Sequence, residues 1–257
     1  MNLQLEGRAA LVMGSSRGLG RACAKALARE GAHVILTGRH EATLQAGCTA
    51  IQEEGGSASF RVVDFQDTER AMQHIAGLGD IDIVVTNCGG PPPGPIATVN
   101  IADLGRHFDT MVRVPVAVAS TFLPGMRQRG FGRIINIVSS GVIQPIANLG
   151  LSNMLRPAIL GWAKTLAAEV AADGVTVNSV VPGRIHTERV DELDAAAAKR
   201  QGRSPEDVAR ASRENIPMKR YGRPDEFSNA VAFLASDRAS YMTGSLIRVD
   251  GGLIAAI

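Results

Sequence analysis

The sequence predicts an α/β fold in which one open, seven-stranded parallel sheet carries helices on both faces as a single doubly wound domain. Three observations predict it. Short β-branched runs alternate with longer helical stretches along all 257 residues, the order that builds βαβ units. The strand-like runs are apolar without alternation, as a sheet buried on both faces requires. A glycine-rich turn joins the first such run to the first helix. Right-handed crossovers then distribute the helices over the two faces. No linker or internal repeat divides the chain, so residues 1–257 are expected to form one domain.

The elements follow in order. Residues 8–13 form a strand ending at Gly14, and 18–30 a helix with Gly31 as its stop. Residues 32–37 are the second strand, and 41–54 the second helix, closed by Gly55-Gly56. A third strand at 59–63 precedes a helix at 68–76, and 81–86 (IDIVVT) is a buried-type strand. A long helical stretch covers 101–129, with Pro115 and Pro124 as candidate breaks. Residues 133–138 (RIINIV) are strand-like, and 151–172 are helical with Pro157 inside. Proline has no N–H for the carbonyl of Asn153 and pushes Arg156 away from helical dihedrals. The regular helix is therefore expected to start or kink near Pro157, with that residue in its first turn. A strand at 175–181 stops at Pro182-Gly183. Residues 187–216, polar and alanine-rich at 195–198, are expected to form a helical flap over the sheet edge. A helix at 225–235 and a strand at 246–249 complete the chain.

Composition excludes several function classes. The formal net charge is +2 with no block of Lys or Arg, which argues against nucleic acid as a partner. No apolar run reaches the length of a membrane span, and residues 1–7 lack a basic segment followed by an apolar one. Cys23, Cys48 and Cys88 are scattered and odd in number, so a disulfide framework is not expected and a cytoplasmic location is. The five histidines show no metal-ligand spacing, and no metal is expected.

The turn Gly14-Ser15-Ser16-Arg17-Gly18-Leu19-Gly20 lies between the first strand and the first helix. Glycines there let the chain turn tightly and let backbone N–H groups approach a phosphate at the positive end of the helix. The turn's position between strand and helix favours a phosphate cradle of a Rossmann-type, dinucleotide-binding domain over a turn without a ligand, with Gly14, Ser16, Arg17, Gly18, Leu19 and Gly20 as candidate contacts. Its GxxxGxG spacing resembles that of the short-chain dehydrogenase/reductase family, in particular the β-ketoacyl-acyl-carrier-protein reductase branch. The resemblance runs through Asp64-Phe65, Asn87-Cys88-Gly89-Gly90, the segment from Gly132 to Ser140, Val177-Asn178, and Pro182-Gly183-Arg184-Ile185-His186-Thr187. It continues through Thr243-Gly244 and Val249-Asp250-Gly251-Gly252. It implies that Asp64 and Phe65 face the adenine, that Asn87 and Gly89 lie along the nucleotide, and that Pro182, Gly183, Ile185 and Thr187 lie on its nicotinamide side. It also implies paired-helix contacts through 101–129 and 151–172, hence a homotetramer or homodimer.

The second strand ends at Gly38-Arg39, where the resemblance would place the acid that holds unphosphorylated ribose. Gly38 has no carboxylate to repel a 2′-phosphate, and Arg17 and Arg39 can both donate to one. The expected cofactor is NADP(H).

The family pattern of Asn, Ser, Tyr and Lys falls here on Met111, Ser139, Ser152 and Arg156. Lys164, eight residues after Arg156, matches another family lysine, so the register holds. Only Ser139 is retained. Serine is a far weaker acid than a phenol, and arginine cannot release its proton at ordinary pH. The candidate catalytic residues are Ser139, Ser152 and Arg156, with a water held by the two serines, or His186, as alternative proton sources. With Pro157 breaking the helix, Arg156 is not expected to occupy the place of the family's lysine. The residues 89–95 (GGPPPGP) are read either as a rigid pocket wall or as a rigid connection. The resemblance implies an NADPH-dependent oxidoreductase that interconverts a small-molecule carbonyl and an alcohol by a non-standard proton path. A nucleotide-binding protein without redox turnover, and a non-redox enzyme on the same fold, are the alternatives.

Overall fold

A computed structural model describes residues 3–256. Seven parallel strands, β1 (Ala9–Val12), β2 (His33–Gly38), β3 (Ser57–Val62), β4 (Ile83–Thr86), β5 (Gly132–Ile137), β6 (Val175–Pro182) and β7 (Leu246–Val249), form one sheet in the order β3-β2-β1-β4-β5-β6-β7. The order reverses between β1 and β4. In an open α/β sheet that switch point is where a crevice opens beyond the carboxyl ends of the strands.

Successive side chains of a strand point to opposite faces, and the core divides accordingly. Ala10 and Val12 of β1 pack with Cys23, Ala24 and Leu27 of α1 (Gly18–Arg29), while Leu11 and Met13 face the other layer. The first layer also holds α2 (Glu41–Glu53) and α9 (Pro224–Ala235). The second holds α3 (Thr68–Ala76), α5 (Val114–Arg129) and α6 (Gly150–Val170). The edge strands differ from the expected continuous apolar runs. Along β3 and β7 exposed residues alternate with more buried ones, because a strand at the rim is only partly covered by helices.

The long helical stretch is α4 (Ile101–Phe108), a π-helical turn (Asp109–Arg113) and α5 without a break. Pro115 falls in the first turn of α5, and Pro124 sits inside it. The carbonyl that Pro124 leaves unbonded belongs to exposed Ser120, where water can reach it.

Helix α6 corrects the expectation at Pro157. It runs unbroken from Gly150 to Val170, and Pro157 lies two turns inside it. An interior proline costs about 3 kcal/mol. The opposing terms are the buried face formed by Ser152, Leu155, Arg156 and Ile159 and a double clamp on the first turns. Asn153 Nδ2 donates to the carbonyl of Ile146 at 2.8 Å, and its Oδ1 accepts from the Ile146 N–H at 3.1 Å. Burying each large aliphatic side chain contributes roughly 1.5–3 kcal/mol, enough for one face to outweigh one lost hydrogen bond.

Residues 188–214 form α7 (Glu188–Gln201) and α8 (Pro205–Glu214). No helix among the described residues is long and apolar enough to cross a membrane.

Candidate nucleotide and reaction site

The loops at the carboxyl ends of β1, β2, β3, β4 and β6 meet along one rim of the sheet. Gly14 and Gly18 have φ of +56° and +57°, a region that favours glycine. Asn87 Nδ2 donates to the Gly14 carbonyl at 3.0 Å and pins the first turn to the end of β4. A side chain at Gly20 would put its Cβ 2.4 Å from that same carbonyl. Buried Ser15 ties the loop inward, its hydroxyl donating to the Val12 carbonyl at 2.8 Å. Helix α1 starts at Gly18 with no side-chain cap and no acid in its first turn. Its free N–H groups therefore open onto the crevice, beside half-buried Ser16 and exposed Arg17, while Leu19 packs on the core.

Gly38 is buried at the end of β2, and a Cβ there would approach the Ser16 Cβ to 3.2 Å. Arg39 beside it is exposed and without a hydrogen bond or ion pair among the described residues. Arg17 instead meets Glu192 of α7 at 3.1 Å. Glu192 also faces Arg189 at 3.4 Å, and Arg189 donates to the Pro91 carbonyl at 2.7 Å. Helix α7 is thus tied across the crevice to both the glycine turn and the proline segment. Asp64 is exposed, its Oδ1 accepting from the Gln66 N–H at 3.0 Å, and Phe65 packs partly on the core. Gly89 is exposed after β4. Beyond β6, Gly183 passes so close to Asp250 that a Cβ would come within 2.5 Å of its Cα. Buried Ile185 and half-buried Thr187 follow, with Thr187 across from Gly18.

Ser139, just after β5, lines a cavity of about 430 Å³ that also reaches Pro182 and Gly183. Its Oγ accepts from the Gly141 N–H at 3.2 Å, so its own O–H remains free to donate into the cavity. Ser152 and Arg156 are brought to Ser139's neighbourhood but stand behind it. Ser152 is buried and does not line the cavity. Arg156 Nε donates to Ser152 Oγ at 3.3 Å, Nη1 to the Ile137 carbonyl at 2.9 Å and Nη2 to the Cys88 carbonyl at 3.3 Å. Arg156 therefore does reach the inner end of the site, contrary to expectation, because the helix continues through Pro157. It is a buried guanidinium with no carboxylate partner among the described residues.

Met111 sits in the π-helical turn, fully buried with Val138, Leu155 and Ile159. Its apolar side chain fills the space beneath the site, and the Cys88 thiol beside it points to the Met111 carbonyl. Burial pushes that thiol above its ordinary pKa, against the opposing pull of Arg156. No tyrosine lines the cavity. Tyr221 donates its hydroxyl to Asp194 at 2.7 Å, and Tyr241 is fully exposed. His186 lies outside the cavity, its ring 3.6 Å from Asp191 in solvent. Pro93 is part of the cavity wall, and Pro91 anchors Arg189, so the proline segment is both wall and connection.

Sequence reasoning missed the Arg17–Glu192–Arg189 tie and the cavity face of α7. The second had a signal: Leu193, Ala196, Ala197 and Arg200 recur at helical spacing.

A family model described as enoyl-(acyl carrier protein) reductase matches residues 13–254. The chain is 34% identical to the 3-oxoacyl-[acyl-carrier-protein] reductase of Vibrio harveyi, over 98% of this chain and 99% of that protein. The crystal structure of L-sorbose reductase from Gluconobacter frateurii, complexed with NADPH and L-sorbose, superposes with a TM-score of 0.93 at 31% identity, covering both chains fully. A structure described as a short chain dehydrogenase/reductase family protein matches with a TM-score of 0.86 at 33% identity, again over the whole of both chains.

Proposed function

This chain belongs to the short-chain dehydrogenase/reductase family, and from that premise we propose that it is an NADP(H)-dependent oxidoreductase interconverting a carbonyl and an alcohol on a small molecule. The observation that carries the proposal is Ser139: a hydroxyl oriented by the Gly141 N–H, free to donate, at the wall of a cavity continuous with the nucleotide-side loop.

The residues fit the nucleotide. The turn leaves no room for a side chain at Gly14 or Gly20 and holds Gly18 at positive φ, and the uncapped start of α1 suits an anion. Arg39 and Arg17 would hold the 2′-phosphate, with Ser16 beside them. Asp64 and Phe65 would border the adenine, and Asn87, Gly89, Pro182, Gly183, Ile185 and Thr187 the remainder. The cofactor would supply or accept the hydride. Ser139 donates a hydrogen bond to the substrate oxygen. Met111 closes the interior side with hydrocarbon, so the proton reaches that oxygen from the cavity. The positive charge of Arg156, behind Ser152, favours negative charge developing on the oxygen. Single-turnover absorbance of NADPH against a panel of ketones, aldehydes and imines tests the reading. The absence of a phenol from the cavity favours one alternative, a nucleotide-binding protein without turnover. It takes precedence if NADPH binds and no member of the panel is reduced.

NADPH is expected to bind about 10- to 100-fold more tightly than NADH, since charge-assisted hydrogen bonds contribute roughly 1.5–3 kcal/mol each. Part of that gain is spent releasing Arg17 from Glu192. Calorimetric titration with both nucleotides measures it, and equal affinities or a preference for NADH would refute the assignment.

The same reading includes self-association, as a homotetramer with two-fold axes. Ile101, Phe108 and Met154 leave an exposed apolar stretch on α4 and α6, a surface that monomers rarely keep. Light scattering at micromolar concentration should report four chains, and a monomer would rule the assembly out. A cytoplasmic setting completes the proposal, in keeping with three free cysteines.

A further inference from the structure

We infer that Arg200 reads an anionic end of the substrate, and that the substrate class is an oxo acid whose carbonyl and carboxylate are separated by an apolar spacer. The inference rests on the oxidoreductase reading for the identity of the reacting carbonyl.

The cavity that contains Ser139 is bounded on one side by α7. Helix α7 has two inward faces. Val190, Asp194 and Ala198 form the buried one. Leu193, Ala196, Ala197 and Arg200 form a second stripe, spaced three and four residues apart, and all of them line the cavity. The two alanines carry small side chains one turn before Arg200, and Arg200 itself is exposed at the rim of the same lining.

The charges of the cavity are unbalanced. Its lining contains no Asp or Glu. Of its two arginines, Arg184 is neutralised by Asp194 at 3.2 Å. Arg200 has no hydrogen bond and no ion pair among the described residues. Lys199 and Arg200 are both exposed in the last turn of α7 and both complement the helix dipole, but of the two only Arg200 lines the cavity. Pro93, Ile146, Leu149, Leu193 and Ile254 give the cavity an apolar stretch of wall. Ser140, Gln144 and Asn148, with Ser212 and Asn215 of the α8 end, add neutral polar groups to the same lining. The Ser139 hydroxyl, an apolar stretch of wall and one unmatched cation suit a ligand with a carbonyl oxygen, an apolar spacer and a carboxylate. Arg200 would meet that carboxylate with paired N–H donors.

The test uses the full-length protein saturated with NADP⁺. Calorimetry compares 4-oxopentanoate, 6-oxoheptanoate and 4-oxo-4-phenylbutanoate, each beside its primary amide. Wild type should bind at least one acid about 10- to 100-fold more tightly than its amide. Arg200→Gln should erase the difference without changing NADPH affinity, and Arg200→Lys should keep part of it. Equal binding of acid and amide across the panel, or no binding by any acid, overturns the inference. So does a preference that survives Arg200→Gln, which would assign the anion to Arg184. Failure of the oxidoreductase reading is seen separately, as NADPH that is not consumed although an acid binds.

Discussion

Ser139→Ala is expected to lower NADPH-dependent carbonyl reduction about 10²- to 10³-fold, the usual loss for one positioned donor to a developing oxyanion. The reason is geometric. Ser139 Oγ accepts from the Gly141 N–H at 3.2 Å, which leaves the hydroxyl hydrogen for the substrate. No phenol lines the cavity to take over. Nucleotide affinity should stay nearly unchanged, because the glycine turn, Arg17 and Arg39, proposed to hold the nucleotide, lie elsewhere on the rim. Ser152→Ala should cost much less turnover. Ser152 Oγ is buried and engaged with Arg156 at 3.3 Å, and does not line the cavity. The measurement is the rate of NADPH oxidation by wild type and both variants on one substrate. Full activity in Ser139→Ala, with active wild type, would end the serine-donor mechanism. Equal losses in the two variants would instead bring Ser152, with a shared water, into the proton path.

Arg156→Met should destabilise the protein by roughly 2–4 kcal/mol, with nucleotide affinity affected far less. The substitution keeps much of the bulk and removes donors to the buried carbonyl of Ile137 and the part-buried carbonyl of Cys88. Each buried acceptor left without a partner costs about 1–3 kcal/mol. Relief of the desolvated charge returns part of that cost. For a domain of this size the melting temperature should fall by roughly 5–15 °C. Thermal unfolding and NADPH titration on the same sample decide the role. A large loss of nucleotide affinity at unchanged melting temperature would show that Arg156 holds the ribose instead of joining β4, β5 and α6.

Much of the protein is legible in short stretches of chain. Short unbroken apolar runs place the strands, and the 3.6 period most helices, because burial on both faces or on one imposes these patterns on neighbouring residues. The glycine turn is legible because positive φ at Gly14 and Gly18, and close backbone approach at Gly14 and Gly20, demand glycine. The missing carboxylate at Gly38 and the replacements at Met111, Ser152 and Arg156 are matters of identity at a position, and need no coordinates.

What only the tertiary structure decided are the outcomes set by partners distant in sequence. Pro157 carries a local penalty that predicts a break. The break does not occur because Arg156, Leu155 and Ile159 gain contacts across the fold. The acceptors for Arg156 lie 19 and 68 residues away in the chain. That Ser139 faces the cavity while Ser152 is turned beneath it depends on how α6 packs against the end of β5. Arg200 is one more surface-type cation in the sequence. It becomes an unmatched charge only once α7 folds over a cavity whose lining contains no acid. Propensity and pattern act between neighbours within one or two turns, whereas the electrostatics of a site depend on everything brought within a few ångströms by the whole topology.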